Sequence, residues 1–307
     1  METSNQSGSV TREPKATTDR VRVTIKTLDN KKKRKEKAVL VTAYTYPEAL
    51  LADKAGVDVL LIGDSLGMTT LGYKTTIAVT MDDMICHCRG VWRANKTAFQ
   101  IGDMPFMSYQ VSNEDAIRNA GRFMKEGGCD AVKVEGAMIE RVKAIADAGI
   151  VVMSHLGLTP QNRAMLGGYR VQGKSKEATE KILEDALRLQ DAGCRFLLLE
   201  AMPRESAGYI AEKMDMPVYG IGAGDLVDGQ LVILHDLIGM FFEFKSKFVK
   251  RYCEAGQMIE EALKDYAHEV RTNKFPTSDN FYQLNEEELE KMLADPRWKY
   301  VLEKKAV

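Results

Sequence analysis

Ala55-Gly56-Val57-Asp58-Val59-Leu60-Leu61-Ile62-Gly63-Asp64-Ser65 runs from a helix-stopping glycine, through an unbroken apolar segment, to two residues that can do chemistry. The same grammar recurs downstream. Gly127-Gly128 leads into Ala131-Val132-Lys133-Val134-Glu135, Ala148-Gly149 into Ile150-Val151-Val152-Met153 and His155, and Ala192-Gly193 into Arg195-Phe196-Leu197-Leu198-Leu199 and Glu200. After Met216-Pro217 comes Val218-Tyr219-Gly220-Ile221-Gly222. Repeated helix, glycine, apolar-strand units predict a parallel sheet covered by helices, because only strands buried on both faces are apolar throughout. In such sheets functional groups collect at the carboxyl ends of the strands.

Outward from these units, strand patterns fall at 38–43, 57–63, 97–102, 130–135, 150–154, 195–200, 217–221 and 230–234. Eight is the number a (β/α)8 TIM barrel needs; a doubly wound open sheet reads similarly but needs fewer. Helices fill the gaps. Ser112-Asn113-Glu114-Asp115 reads as a capping box opening a helix with Ile117, Ala120 and Met124 on its apolar face. Between Lys176 and Asp191, Ala178, Ile182, Ala186 and Leu189 recur with helical spacing. Two long glycine-bearing loops, 66–80 after the second strand and 157–175 after the fifth, are candidate lids. The expected organisation is a polar arm over 1–30, a catalytic barrel over 31–270 and a helical extension over 271–307, with an acidic amphipathic helix over 286–305.

The chain has 307 residues, 45% hydrophobic and 28% charged, with a net charge of −1. That is room for one large barrel, and the charge balance favours neither nucleic acid nor an anionic membrane. No apolar run approaches the roughly 20 residues of a membrane span. The polar, acid-bearing N-terminus argues against a secretory or organellar leader, so a cytoplasmic protein is expected. Five scattered cysteines fit a reducing compartment. Cys86-His87-Cys88 resembles a metal cluster, but on a helix positions i and i+2 point about 200° apart, and no second cluster completes a tetrahedron. The basic run Lys31-Lys32-Lys33-Arg34-Lys35 is read as a solvated helix end or loop rather than a nucleic-acid patch.

Asp64, Asp103 and Glu135 close the second, third and fourth strand patterns. Three carboxylates at one rim repel one another unless a cation sits among them, and oxygen-only ligands select a hard ion, foremost Mg2+. The competing reading is that each acid caps a helix or pairs with a rim Lys or Arg. Lys133 stands two residues from Glu135 on one strand and so points to the same side, where its ammonium suits a substrate carboxylate. Ser65 would donate to the same anion, and His155 would polarise a carbonyl or relay a proton. Glu200, on the sixth strand across the mouth, is placed as a general base. These parts suit enolate chemistry on a 2-oxo acid.

Ordered motifs then carry a resemblance. They are Val41-Thr42-Ala43-Tyr44, Gly63-Asp64-Ser65-Leu66-Gly67-Met68, Asp103-Met104-Pro105-Phe106-Met107, Val132-Lys133-Val134-Glu135-Gly136 and His155-Leu156-Gly157-Leu158-Thr159-Pro160-Gln161. Gly167-Gly168-Tyr169-Arg170-Val171-Gln172-Gly173, Gly220-Ile221-Gly222-Ala223-Gly224 and Leu234-His235-Asp236 follow. Over residues 38–270 the chain resembles the ketopantoate (3-methyl-2-oxobutanoate) hydroxymethyltransferases, within the phosphoenolpyruvate mutase and isocitrate lyase-like barrels. The resemblance implies Mg2+ on Asp64, Asp103 and Glu135, 2-oxo acid contacts from Asp64, Ser65, Asp103 and Lys133, and Glu200 as proton acceptor. It also implies 5,10-methylenetetrahydrofolate as one-carbon donor, a place in pantothenate and coenzyme A biosynthesis, and a homodecamer of two pentameric rings. The N-terminal arm and the C-terminal extension depart from compact members of that family. The rival barrels carry a Lys-Lys-Cys-Gly-His-type loop that this chain lacks. A barrel retained only for binding would have lost one of the five charged residues, and all are present.

Overall fold

A computed structural model describes residues 20–165, 167–241 and 246–298. Eight strands, β1 (Ala38–Thr42), β2 (Val59–Ile62), β3 (Phe99–Asp103), β4 (Ala131–Glu135), β5 (Val152–Gly157), β6 (Phe196–Glu200), β7 (Val218–Ile221) and β8 (Gly229–Val232), close into one parallel barrel. The ring is sealed between β1 and β8, where Leu40 stands opposite Leu231. Every expected strand is present, within two or three residues at each end. The chain is a (β/α)8 barrel.

Alternation along the strands divides the apolar residues between two cores. Leu40, Val59, Leu61, Phe99, Ile101, Met153, Phe196 and Leu198 point inward and fill the barrel. Val41, Leu60, Ile62, Val132, Val134, Leu197 and Leu199 point outward against the helices. Inside, the Phe196 ring meets Phe99 edge-on at 5.7 Å and stacks on Tyr219 at 6.0 Å. The register shows the tilt that closure demands. Asp103 at the end of β3 pairs with Lys133, Lys133 with Met153, and Met153 with Phe196 at the start of β6. Register partners therefore fall successively earlier in each strand, while Asp103, Glu135 and Glu200 each close their own strand and, because all the strands are parallel, stand at the same end.

The opposite end is plugged. Thr24 caps the helix Ile25–Lys33 through a reciprocal pair with Thr27, and Leu28 and Val23 enter the interior core. Asp58, Asp130 and Asp228, each immediately before a strand, accept backbone N–H bonds from Val39, Gln100 and Val218. The same acids pair with Arg20 and Lys31 (2.9 and 3.2 Å), Arg22 (2.9 Å) and Lys32 (2.7 Å). Two expectations change here. Residues 20–30, assigned to the arm, are helix and plug; residues 1–19 lie outside the described residues. The basic run is a helix end as expected, exposed over Lys33, Arg34 and Lys35, but Lys31 and Lys32 are partly buried and hold this helix on the barrel bottom.

The helix Asn113–Lys125 starts as expected, with Ser112 Oγ accepting the Asp115 N–H, but Asp115 turns its carboxylate to Arg118 instead of closing the box. Its fully buried stripe is Ala116, Ala120 and Phe123, one residue round from Ile117 and Met124. On the helix Met81–Ala94, Cys88 is buried, Cys86 is exposed, and His87 Nδ1 donates to the Tyr44 carbonyl at 2.6 Å. The helix Lys176–Asp191 buries Ala186 and Leu189 as predicted.

The chain divides into two compact units between Cys253 and Glu254 rather than near residue 270. The second unit contains helices Ala255–Arg271 and Glu286–Ala294. The latter stops where Asp295, extended at ψ 117°, precedes Pro296; residues 299–305 of the expected tail helix lie outside the described residues. Among the described residues, no helix is long and apolar enough to cross a membrane.

Candidate active site

A cavity of about 660 Å3 opens at the carboxyl ends of the strands. Asp103 closes β3, Lys133 and Glu135 end β4, His155 lies on β5, Glu200 closes β6, and Asp64-Ser65 follows β2 by two residues. All seven line this cavity. Both expected lid loops reach it, the first through Met68, Thr69 and Thr76, the second through Leu158, Tyr169 and Arg170. Its inner wall is apolar, formed by Leu61, Leu198, Ile221 and Leu231.

Asp64, Asp103 and Glu135 are buried and offer carboxylate oxygens within 4.8 Å of one another. Burial, together with the Asp103 and Glu135 charges, pushes the Asp64 carboxyl well above the usual carboxylate range. Burial also raises Asp103, where the Glu135 charge opposes the pull of Lys133. Glu135 runs the other way. Burial would raise it, but the Lys133 ammonium and His155 hold it down at about 2. Lys133 reaches Asp103 Oδ2 at 2.6 Å and Glu135 Oε1 at 3.5 Å. Burial alone would neutralise that lysine; Asp103, Glu135 and Asp64 instead keep it protonated above its ordinary value.

One ammonium does not satisfy three carboxyls. Asp103 Oδ1 is buried and has no partner. A buried oxygen cluster with an orphaned acceptor, in which burial and neighbouring acids oppose the Asp64 charge, fits a small divalent cation, which would neutralise the excess charge without a further protein donor.

His155 lies between two acids, with Nδ1 3.4 Å from Glu135 Oε1 and Nε2 3.2 Å from Glu200 Oε2. Burial works against its charge, but the two carboxylates lift it to about 9. Neither contact is aligned as a hydrogen bond, so charge holds the ring. Glu200 keeps 17% of its side chain exposed to the cavity. Two glycines make room for this geometry. A Cβ on Gly63 would stand 2.9 Å from Ser65 Oγ, and one on Gly157 (φ +88°) would stand 2.4 Å from the Glu200 carbonyl oxygen.

Three residues without an assigned role from sequence are built into the site. Tyr44 hydroxyl bonds Ser65 Oγ at 2.8 Å while its ring stacks on His235 at 5.4 Å. Gln161 bonds Asp64 through its side chain (2.9 Å) and Glu135 through its backbone N–H (3.0 Å). Tyr109 hydroxyl donates to Gln161 Oε1 at 2.7 Å. Nothing local marks Tyr109, because it lies 52 residues from Gln161 and meets it only once the barrel has closed. Tyr44 and Gln161 stood inside motifs whose chemistry was read from charged residues alone.

The profile of a family described as Ketopantoate hydroxymethyltransferase matches residues 22–278. Proteins named 3-methyl-2-oxobutanoate hydroxymethyltransferase from Moorella thermoacetica and Syntrophomonas wolfei are similar to this chain. The first is 50% identical over 266 residues, covering 86% of this chain and 99% of the relative. The second is 48% identical over 273 residues, covering 88% and 99%. Among solved structures, 2,3-dimethylmalate lyase, a PEP mutase/isocitrate lyase superfamily member, superposes with a TM-score of 0.55 at 14% identity, covering 90% of this chain and 93% of that one. At that identity the likeness is one of fold.

Proposed function

The chain belongs to the ketopantoate hydroxymethyltransferase family, and from that membership we propose that it transfers a hydroxymethyl group from 5,10-methylenetetrahydrofolate to 3-methyl-2-oxobutanoate, forming ketopantoate. The observation that carries the reading is the convergence of three buried carboxylates within 4.8 Å, with Glu200 on the facing strand β6.

Asp64, Asp103 and Glu135 would hold Mg2+. When bound, the ion supplies the Lewis acidity that makes the C3 hydrogen of a 2-oxo acid removable near neutral pH. Lys133, fixed as an ammonium by its acid neighbours, pairs with the substrate carboxylate, and Ser65 offers its hydroxyl to the same anion. Glu200 reaches into the cavity without belonging to the acid cluster, so it is free to take the C3 proton. His155, charged between Glu135 and Glu200, holds the base in place. Leu61, Leu198 and Ile221 line the cavity and would pack on the isopropyl group, keeping water from the reacting carbon. Water cleaves the methylene bridge of the folate, releasing tetrahydrofolate and leaving the carbon at the formaldehyde level; the deprotonated C3 adds to that carbon, whose water-derived oxygen takes a proton and becomes the new hydroxyl.

The product would enter pantothenate and coenzyme A biosynthesis in the cytoplasm, which the free state of all five cysteines supports. Family membership supports a homodecamer; light scattering should return about ten times the 34.3 kDa of one chain. A monomer or dimer at working concentration would remove the decamer from the reading. The function is tested by incubating the protein with both substrates and Mg2+ and following ketopantoate by chromatography. Absence of product in Mg2+ would overturn the reading.

A further inference from the structure

We propose that Gln161 is a positioning residue for the metal centre, setting which oxygens of Asp64 and Glu135 face the ion. The proposal rests on the metal reading above. Gln161 lies in the 3-10 turn Pro160–Asn162, the first turn of the long loop after β5, and is 5% exposed. Its Nε2 donates to Asp64 Oδ2 at 2.9 Å and to the Met104 carbonyl at 3.0 Å. Its Oε1 accepts from Tyr109 hydroxyl at 2.7 Å and from Gln110 Nε2 at 3.4 Å. Its backbone N–H donates to Glu135 Oε2 at 3.0 Å.

Three features set this apart from ordinary packing. The Met104 carbonyl can only accept, so the atom facing it and Asp64 must be the NH2; the amide has one orientation. Each acid spends one oxygen on Gln161, which leaves Asp64 Oδ1 for a cation and turns Glu135 so that its other oxygen, Oε1, faces Lys133 and His155 inside the cluster. The donor is also neutral. An Arg or Lys here would orient Asp64 equally well but would cancel the charge that attracts the ion. An amide orients the carboxylate and leaves its charge in place, as partners behind metal ligands generally do. Because the residue opens the cavity-lining loop, the path of that loop out of β5 is tied to the acid cluster.

The test is calorimetric titration of Mg2+ into chelator-stripped full-length protein, comparing wild type with Gln161→Met, which keeps the volume and removes the amide. Mg2+ affinity should fall by roughly 10- to 100-fold, the usual loss when such a partner is removed. Thermal melts in chelator report the stability change separately. A lower metal-free Tm with unchanged Mg2+ affinity would reduce Gln161 to a structural residue and overturn the proposal. Should Gln161→Met not fold, Gln161→Asn serves: it keeps an amide but withdraws it by one methylene, and wild-type affinity there also overturns the proposal. Failure of the wild type itself to bind Mg2+ would sink the metal reading and this inference together, an outcome distinct from a normal wild type beside an unaffected variant.

Discussion

Lys133 and Asp103 are register partners across β3 and β4, and their side chains meet at 2.6 Å with neither more than 4% exposed. The contact makes the lysine a fixed positive charge within a ring of acids. A protonated amine has no lone pair, so this geometry suits anion binding and opposes attack on a carbonyl.

Borohydride reduction in the presence of 3-methyl-2-oxobutanoate should therefore leave no adduct on Lys133. Intact-mass analysis reads the outcome directly. A stable mass increase mapped to Lys133 would replace the ion-pairing role with a Schiff base.

Removing the divalent ion should abolish activity, and restoring Mg2+ should recover it. The same ion should stabilise the fold, because only the native state gathers Asp64, Asp103 and Glu135. At 100 times its dissociation constant a ligand adds about 2.7 kcal/mol, enough to raise Tm by several degrees in a scanning fluorimeter. Identical melting in chelator and in excess Mg2+, with full activity in chelator, would mean that no ion is held there.

Glu200→Gln keeps the shape of the side chain and removes its basicity. Mg2+-dependent binding of the 2-oxo acid should survive, while hydroxymethyl transfer and folate-independent exchange of the C3 hydrogen with deuterated solvent both fall by roughly 10²-fold or more. NMR of the C3 position checks the exchange. Wild-type exchange with lost transfer would move the base elsewhere, with His155 next in line at 3.2 Å.

Leu28→Ala tests the plug at the far end of the barrel. Leu28 is 1% exposed in the interior core, so its truncation should cost about 2–4 kcal/mol and lower Tm. Turnover per folded enzyme should not change, because the site lies at the other end of the strands. An unchanged melting temperature would return residues 20–30 to the status of a loose arm.

The barrel and most of its charged rim were readable from sequence for one reason: their signals are local. A strand buried on both faces must be apolar along its length, a glycine must stop the helix before it, and the residue that ends such a strand must stand at the rim. Asp103, Glu135 and Glu200 each sit at such an end, and Lys133 follows from the two-residue period. The same local logic misplaced the stripe of the helix Asn113–Lys125 by one residue, since Ala116 and Phe123 are selected by what they pack against. It also missed the plug, where Val23 and Leu28 are isolated among charges and their burial is decided by the open end of the barrel.

What only the tertiary structure decided are relations between distant strands. Closure with tilt sets the acids within 4.8 Å, brings Tyr109 to Gln161, and threads His155 between Glu135 and Glu200. Those contacts depend on how far each strand slides against its neighbour. A slide of two residues leaves the apolar pattern of every strand unchanged while moving a side chain by nearly 7 Å. The sequence therefore determined which residues reach the cavity, and the register of the closed sheet decided which of them touch.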